Sequence, residues 1–410
     1  MDKRVKLNCI DPLRKKGPPI IIVAAVREAE AVANACKENG IKVDAFCDTE
    51  KRKTFEKFCG LEVIHTPNLP SKYPEARFII ASHHIRDVDN QLTEMGYNDF
   101  YSALKLFENY EVHKHNHLVS KSYMESRITS YKKTHEAYFD DKKLYMRSVD
   151  IMVTTKCSMK CESCSNLMQY YKDPKDSDDQ KTFEALEILS QNVDDISEYR
   201  IIGGEPLMNR NWSKIVDAIV EKNPERKVYI YTNGTIAPKE EQLKKFSEKD
   251  VSFVITDYGK LSRNADKLTE MLERNKITYV RTPAENWLEC GTIKHHNRSV
   301  ENLKEVFKQC CVKYVYTLLD GKLYRCPFIA NANNLKAIPN NPANYVDLLS
   351  KKDDVKKQLK RIMQVAKFFP GCDFCVGRPY DPTSKIGYDG EGMITPAKQA
   401  ENILEYKEYK

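Results

Sequence analysis

Short apolar runs alternate with longer amphipathic stretches through most of the chain. In the first 110 residues, apolar runs predict strands at 19–23, 41–46, 61–65 and 76–82. Helical spacing over Arg27–Asn39 ends at Gly40, and a second helix, Asp87–Met95, ends at Gly96; glycine commonly ends helices. Strands that alternate with helices predict an α/β unit with a parallel, doubly wound sheet.

The same alternation returns after residue 146. It predicts strands at 147–155, 198–203, 227–232, 251–256, 278–281 and 313–319, with helices near 180–194, 210–222, 239–247, 262–275 and 299–309. Six strand–helix units fit a partial (β/α)6 TIM-like barrel, in which chemistry sits at the carboxyl ends of the strands. Between the two patterns, the polar residues 111–145 predict a linker with one helix, at about Ser120–Ala137.

Composition sets broad limits on location and partners. The 410 residues suggest two or three domains, and the net charge of +7 is too mild and too evenly spread to indicate nucleic acid. The first residues lack the apolar region of a signal peptide, and no apolar stretch reaches the length of a membrane span. We therefore expect a cytoplasmic protein whose 13 cysteines are metal ligands or free thiols rather than disulfides.

Three cysteines follow the first strand of the second pattern. Cys157, Cys161 and Cys164 are spaced C-x3-C-x2-C. Structural zinc sites usually take four ligands, and this segment offers three. Three thiolates suit an iron–sulfur cluster that keeps one iron open for a small molecule.

Two further motifs end the next two predicted strands. Gly203-Gly204-Glu205-Pro206 follows Ile201-Ile202, and Thr232-Asn233-Gly234 follows an apolar run from Val228. With these motifs in the same order, residues 146 to about 380 resemble the radical S-adenosylmethionine (SAM) enzymes. The resemblance implies that the cysteine triad holds a 4Fe–4S cluster whose open iron binds SAM, and that reductive cleavage of SAM gives a 5′-deoxyadenosyl radical.

The resemblance also implies which residues bind SAM. The backbone of Gly203 and Gly204 would turn tightly and leave carbonyls for the methionyl ammonium, with Pro206 completing the turn and Glu205 supplying negative charge. Asn233 would bond to the ribose or carboxylate. Asp257 is a further candidate, although a helix N-terminal cap explains it equally well.

A second group of cysteines lies in the C-terminal third: Cys310, Cys311, Cys326, Cys372 and Cys375. Asp320-Gly321 predicts a hairpin that returns Cys326 towards Cys310 and Cys311. Four thiolates in two pairs suit zinc. The tract, however, resembles the twitch form of the SPASM domain, which implies an auxiliary 4Fe–4S cluster with one of Cys310 and Cys311 as a ligand.

Two outcomes follow hydrogen abstraction in such enzymes, so an oxidoreductase or isomerase activity is implied. In a dehydrogenase the substrate radical passes its electron to the auxiliary cluster, whereas in an epimerase a cysteine thiol returns a hydrogen. Cys290 is the candidate thiol, although an ordinary loop cysteine explains it as well. Arg281 and Tyr258 are the other two candidate catalytic residues. Arg281 could bind a hydroxyl or phosphate group, and a solvated surface arginine is the alternative for it.

The first 110 residues resemble the small Rossmann-like domain found beside sugar-modifying enzymes of polysaccharide pathways. The turn after its first strand, Ala24 to Ala29, has no glycine and carries Glu28, so the fingerprint for a dinucleotide is missing. A docking or structural role is expected, or else a contact to substrate through Ser82, His83, His84 and Arg86.

We expect five segments along the chain. The domains are 1–110, the linker 111–145, the barrel 146–298, the last barrel unit with the twitch domain 299–380, and a tail 381–410 with a short helix near Ala397–Tyr406. The function is hydrogen abstraction from a sugar-like, polyol substrate, with a flavodoxin- or ferredoxin-type reductant. The alternatives are a maturase of ribosomally made peptides and a non-enzymatic metal-binding scaffold.

Overall fold

The computed structural model describes residues 4–55, 57–350, 354–381, 383, 385–395 and 398–409. The chain divides into two compact units, Met1–Tyr145 and Met146–Lys410. No helix in the described parts is both long enough and apolar enough to cross a membrane.

The first unit is a five-stranded parallel sheet with helices on both faces. Its strands are β1 (Ile20–Val23), β2 (Ala45–Asp48), β3 (Val63–His65), β4 (Arg77–Ile80) and β5 (Phe100–Ser102), in the order β3-β2-β1-β4-β5. Its helices are α1 (Ile10–Arg14), α2 (Arg27–Glu38), α3 (Leu69–Lys72), α4 (Ile85–Glu94) and α5 (Lys121–Phe139). The doubly wound sheet that the pattern predicts is confirmed.

Alternate residues of the strands face two separate cores. Ile20 and Ile22 of β1 face one core, whereas Ile21 and Val23 face the other, as the two-residue period of a strand requires. The helix α5, within the segment that we interpreted as a linker, contributes Met124, Ile128 and Tyr131 to the first core. This helix therefore belongs to the folded body of the first unit.

The second unit is built on an eight-stranded sheet. Its strands are β6 (Tyr145–Met152), β7 (Asp195–Ile202), β8 (Lys227–Thr232), β9 (Val251–Asp257), β10 (Thr278–Pro283), β12 (Tyr316–Leu319), β13 (Lys322–Tyr324) and β14 (Tyr345–Asp347). A separate two-stranded sheet is formed by β11 (Trp287–Leu288) and β15 (Met393–Ile394). Its helices are α6 (Asp179–Asn192), α7 (Trp212–Lys222), α8 (Glu240–Lys244), α9 (Ala265–Arg274), α10 (Val300–Gln309), α11 (Pro327–Asn334) and α12 (Val355–Lys360).

The strand order of this sheet is β10-β9-β8-β7-β6-β12-β13-β14. The sixth predicted strand, β12, pairs in parallel with β6 and therefore lies beside the first strand of the unit. The hairpin predicted at Asp320-Gly321 is confirmed: β12 and β13 pair antiparallel, and both turn residues have positive φ angles, as a two-residue hairpin turn requires. Each of the strands β6, β7, β8 and β9 contributes residues to the lining of one cavity. The curved sheet of a partial barrel places strands in this way.

Candidate functional site

The three cysteines of the C-x3-C-x2-C segment lie together beyond the carboxyl end of β6. They pack into one small cluster with Met159, in which Cys161 is buried and Cys157 and Cys164 are half-buried. Burial and the charges of the neighbouring thiols raise the pKa of Cys157 to about 12 and that of Cys161 to about 11. Such thiols lose their protons when a metal binds, so the donor set suits a thiolate-ligated metal group.

The Gly-Gly-Glu-Pro turn is built directly against this cysteine segment. The backbone N–H of Gly204 donates to Thr154 O at 3.0 Å, and that of Glu205 donates to Lys156 O at 2.8 Å. A Cβ atom at position 204 would lie 2.7 Å from Cys157 Cβ, a separation that real side chains do not adopt. Glycine is therefore required where the two backbones approach.

Glu205 joins the end of β7 to the end of β8. Its carboxylate is fully buried and accepts hydrogen bonds from Leu207 N at 3.1 Å, Thr232 Oγ1 at 2.9 Å and Asn233 N at 2.8 Å. Burial raises the pKa of Glu205 to about 7, although these hydrogen bonds act in the opposite direction. We expected this residue to supply negative charge, and its contacts add a structural role: it ties two motifs together.

Asn233 reaches back to the cysteine segment. Its side-chain Nδ2 donates to Ser158 Oγ at 3.2 Å and lies 3.8 Å from Cys157 Sγ. The carbonyl of Gly203 accepts a hydrogen bond from Asn166 Nδ2 at 3.0 Å, and Pro206 is buried at the start of the turn that follows. The structure thus brings together all three motifs that the sequence singled out.

A cavity of about 310 Å³ opens beside these motifs. Its lining includes Gly203, Gly204, Asn233, Arg200, Tyr258 and Arg378. Asp150 also lines it, and its Oδ1 lies 2.6 Å from Arg200 Nε. Arg378 forms no ion pair with a carboxylate among the described residues. The lining of the cavity therefore combines residues of the motifs with charged side chains.

The three candidate catalytic residues occupy different positions. Tyr258 lines the cavity, packs against the cysteine cluster and meets Trp287 edge-to-face with 6.1 Å between ring centroids. Cys290 is 4% exposed, and burial raises its thiol pKa to about 11. Among the described residues, Cys290 is not part of the cavity lining, so the geometry of this state does not present its thiol to that space.

Arg281 and Asp257 are paired with each other. Arg281 Nη2 lies 2.6 Å from Asp257 Oδ2, and its Nη1 lies 2.6 Å from Asp266 Oδ1. Asp257 also accepts a hydrogen bond from Gly259 N at 2.8 Å, which resembles the capping alternative. Neither residue is among those that line the cavity. The pairing satisfies both charges, a relationship that strand position alone did not reveal.

The second cysteine group comes together from three separate segments. Cys310 directly follows α10 and Cys326 precedes α11. Cys372 lies within a short 3-10 turn, and Cys375 directly follows that turn. Burial raises the pKa of each of these thiols, and mutual repulsion with other members of the group adds to it for Cys310, Cys372 and Cys375. Cys311 is exposed. The structure therefore distinguishes the two adjacent cysteines: Cys310 faces the group.

The spacing within both groups differs from that of a single-ion site. Among the described residues, no three His, Cys, Asp or Glu side chains are close enough together to hold one metal ion. In a 4Fe–4S cluster each thiolate binds a different iron, so wider separations between ligands fit. The residues present therefore fit thiolate-ligated clusters, with three ligands in one group and four in the other.

In the first unit, a charged network joins α2, the segment after β4 and α5. Glu28 is fully buried and is paired with His83 and Arg127. Ala24, directly after β1, has a φ angle of 82°, a conformation that glycine usually supplies. A carboxylate at this position opposes a phosphate, in agreement with the missing dinucleotide fingerprint.

Comparison with known proteins agrees with the motifs. Residues 151–258 match the family model described as the radical SAM superfamily. No curated protein matches the chain. Solved structures that resemble it include BtrN in complex with AdoMet and 2-DOIA, at 17% identity, with 57% of this chain and 94% of that chain covered and a TM-score of 0.37.

Two other solved structures give similar values. Native anSMEcpe with bound AdoMet and Cp18Cys peptide is 12% identical, with 56% of this chain and 83% of that chain covered and a TM-score of 0.39. Streptococcus suis SuiB bound to S-adenosylmethionine is 14% identical, with 48% and 51% covered and a TM-score of 0.27. Radical SAM enzymes use a 4Fe–4S cluster and SAM, and the family match covers the triad and both companion motifs. Residues 151–258 are therefore a radical SAM domain.

Proposed function

We propose that this enzyme oxidises a carbohydrate or other polyol by abstracting a hydrogen atom from a carbon that bears a hydroxyl group. The observation that carries the proposal is the cavity, whose lining includes both residues of the SAM-binding motifs and the charged side chains of Asp150, Arg200 and Arg378. Charged side chains that line a pocket recognise oxygen-rich ligands because they bond to hydroxyl groups as donors and acceptors.

In this proposal Cys157, Cys161 and Cys164 hold the cluster that binds SAM. When bound, the cluster supplies the electron for reductive cleavage of SAM. The protein fixes the position of the ligand: Gly203 and Gly204 offer backbone at the rim of the cavity, and Asn233 offers a side-chain amide beside Cys157. Tyr258 covers the cysteine segment and so excludes water from it.

Cys310, Cys326, Cys372 and Cys375 would hold an auxiliary 4Fe–4S cluster. All four are half-buried and lie on three segments, which supports this set, and the exposure of Cys311 argues against its membership. Four cysteines leave no iron open, so the cluster would accept an electron without binding substrate. The Arg378 guanidinium, which lines the cavity, is close enough to Cys290, Cys311, Cys310 and Cys375 to act on them electrostatically.

A dehydrogenation can be completed with these groups, with every atom and electron accounted for. With SAM and both clusters bound, the substrate carbon would lose a hydrogen atom to the 5′-deoxyadenosyl radical, the hydroxyl would lose a proton to solvent, and the auxiliary cluster would take up the remaining electron, leaving a carbonyl group. Epimerisation needs a thiol that faces the substrate. Since Cys290 is outside the cavity lining, dehydrogenation is the better supported of the two reactions.

A substrate panel tests the proposal. Reconstituted protein would be reduced and given SAM with amino sugars, cyclitols or nucleotide sugars, and with cysteine- or serine-containing peptides as a separate arm. We expect a polyol to stimulate 5′-deoxyadenosine formation and to lose two mass units. Stimulation by peptides alone would instead support the maturase alternative and would contradict the polyol proposal.

A further inference from the structure

The C-terminal tail lies on the cysteine segment of the radical SAM domain. Glu162 N donates to Lys398 O at 2.8 Å, and Ala400 N donates to Lys160 O at 2.7 Å, so that Cys161 and Gln399 form an antiparallel bridge. The helix predicted near Ala397–Tyr406 is wrong for residues 398–406, and Ala397 lies outside the described residues. The backbone groups of the tail pair with the cysteine segment instead of with one another.

Gln399 uses both ends of its side-chain amide at this bridge. Its Oε1 accepts a hydrogen bond from Lys160 N at 2.6 Å. Its Nε2 donates to Cys161 Sγ at 3.4 Å. A residue 238 positions away in the sequence therefore contacts a sulfur atom of the triad directly.

A second glutamine fixes the tail to the same segment further along. Gln169 is fully buried, and its Nε2 donates to Glu162 O at 3.1 Å and to Gly291 O at 3.2 Å. Its own backbone carbonyl accepts from Leu404 N at 3.0 Å. The tail is thus held both at Gln399 and at Leu404, and Tyr409 N donates to Lys336 O at 2.8 Å further along. Gln399 is therefore not a freely moving surface side chain.

We propose that Gln399 is a positioning residue for the SAM-binding cluster, holding the Cys161 thiolate and raising the reduction potential of the cluster through its hydrogen bond to sulfur. The inference rests on the proposed function, because it requires the triad to hold that cluster. Hydrogen bonds to ligand sulfurs are among the factors that set cluster potentials. The reduced cluster carries one more negative charge, so an N–H directed at sulfur stabilises the reduced form more than the oxidised form.

Two variants separate the donor from the rest of the side chain. Gln399→Glu keeps an acceptor for Lys160 N but removes the donor to Cys161, and adds a negative charge. Gln399→Met removes both hydrogen bonds without adding charge. Glu401→Gln, an exposed change in the same tail, serves as the control. The measurement is a redox titration followed by EPR, using the signal that changes when SAM is added, together with iron loss to a chelator.

We expect both Gln399 variants to show a lower midpoint potential and faster iron loss than wild type, and Glu401→Gln to match wild type. If both Gln399 variants keep the wild-type potential, the inference is overturned while the proposed function stands. A wild-type protein whose triad binds no iron would instead remove the proposed function. Retention of the auxiliary iron by each variant shows that the protein remains folded.

Discussion

The carboxylate of Glu205 accepts a hydrogen bond of 2.8 Å from the backbone N–H of Asn233. This bond joins the Gly-Gly-Glu-Pro turn to the Thr-Asn-Gly strand end, and Asn233 in turn contacts the segment that carries the triad. The two companion motifs are therefore parts of one hydrogen-bonded unit, with the fully buried Glu205 at its centre.

Glu205→Gln should weaken SAM binding by roughly tenfold or more, because an unsatisfied buried group costs about 1–3 kcal/mol. The NH2 group of the glutamine amide would face one of the N–H or O–H groups that now donate to Glu205. Two donors face one another without an acceptor, so the end of β8 would be displaced. SAM titration of the reconstituted protein measures the effect. Glu184→Gln, on the exposed part of α6, is the control; equal affinities in the two variants would contradict this role.

Cys310→Ala and Cys311→Ala form a matched pair for the auxiliary cluster. Cys310 is half-buried and close enough to Cys326 to feel its charge, whereas its neighbour Cys311 is exposed. We expect Cys310→Ala to lose about four irons, and Cys311→Ala to keep the wild-type number. Iron analysis after anaerobic reconstitution decides the matter, and the reverse pattern would show that Cys311 is the ligand.

Arg378→Met should leave the iron content unchanged. It should reduce the stimulation of 5′-deoxyadenosine formation by an accepted polyol about tenfold or more, because a charged hydrogen bond contributes about 1.5–3 kcal/mol. Arg378 lines the cavity without an ion-pair partner among the described residues. The control is Arg274→Met, an exposed arginine on α9. Full stimulation in Arg378→Met would exclude this residue from substrate binding.

Glu28→Gln should destabilise the first unit at neutral pH and have little effect in acid. Burial alone would raise the pKa of Glu28, but the hydrogen bond from His83 and the charge of Arg127 outweigh it and lower the pKa to about 2. A lowered carboxyl pKa stabilises the fold above the unfolded value of about 4.3, and this stabilisation is lost as the pH falls from about 4 towards 2. The full contribution is about 3 kcal/mol.

Hydrogen exchange of the β1 and α2 amides at several pH values measures this loss in the first unit. Tryptophan fluorescence would not report on it, because both tryptophans of the chain lie in the second unit. Glu111→Gln, an exposed carboxylate of the same unit, is the control. If the difference in amide protection between wild type and Glu28→Gln stays constant down to about pH 2, the prediction is contradicted.

The sequence predicted the parts of the site that depend on local pattern. The triad and the two strand-end motifs are contiguous segments, and strand periodicity places them at one edge of a sheet. The hairpin at Asp320-Gly321 follows from turn chemistry in the same way. These features need only neighbouring residues, which is why a single sequence is enough to predict them.

Other features depend on contacts between distant segments. Strand periodicity could not show that β12 pairs with β6, because several strand orders satisfy the same pattern. It placed Asp257 and Arg281 at strand ends but gave no sign that they pair across neighbouring strands. The hydrogen bond from Gln399 to Cys161 had no local signal, and a helix was predicted in its place.

The most direct test of the account is iron counting after anaerobic reconstitution, on wild type and on the Cys157/Cys161/Cys164→Ala variant. Two thiolate-ligated 4Fe–4S clusters predict about eight irons in wild type and about four in the variant. An equal iron content in the two proteins would contradict the central claim, because the triad would then hold no cluster.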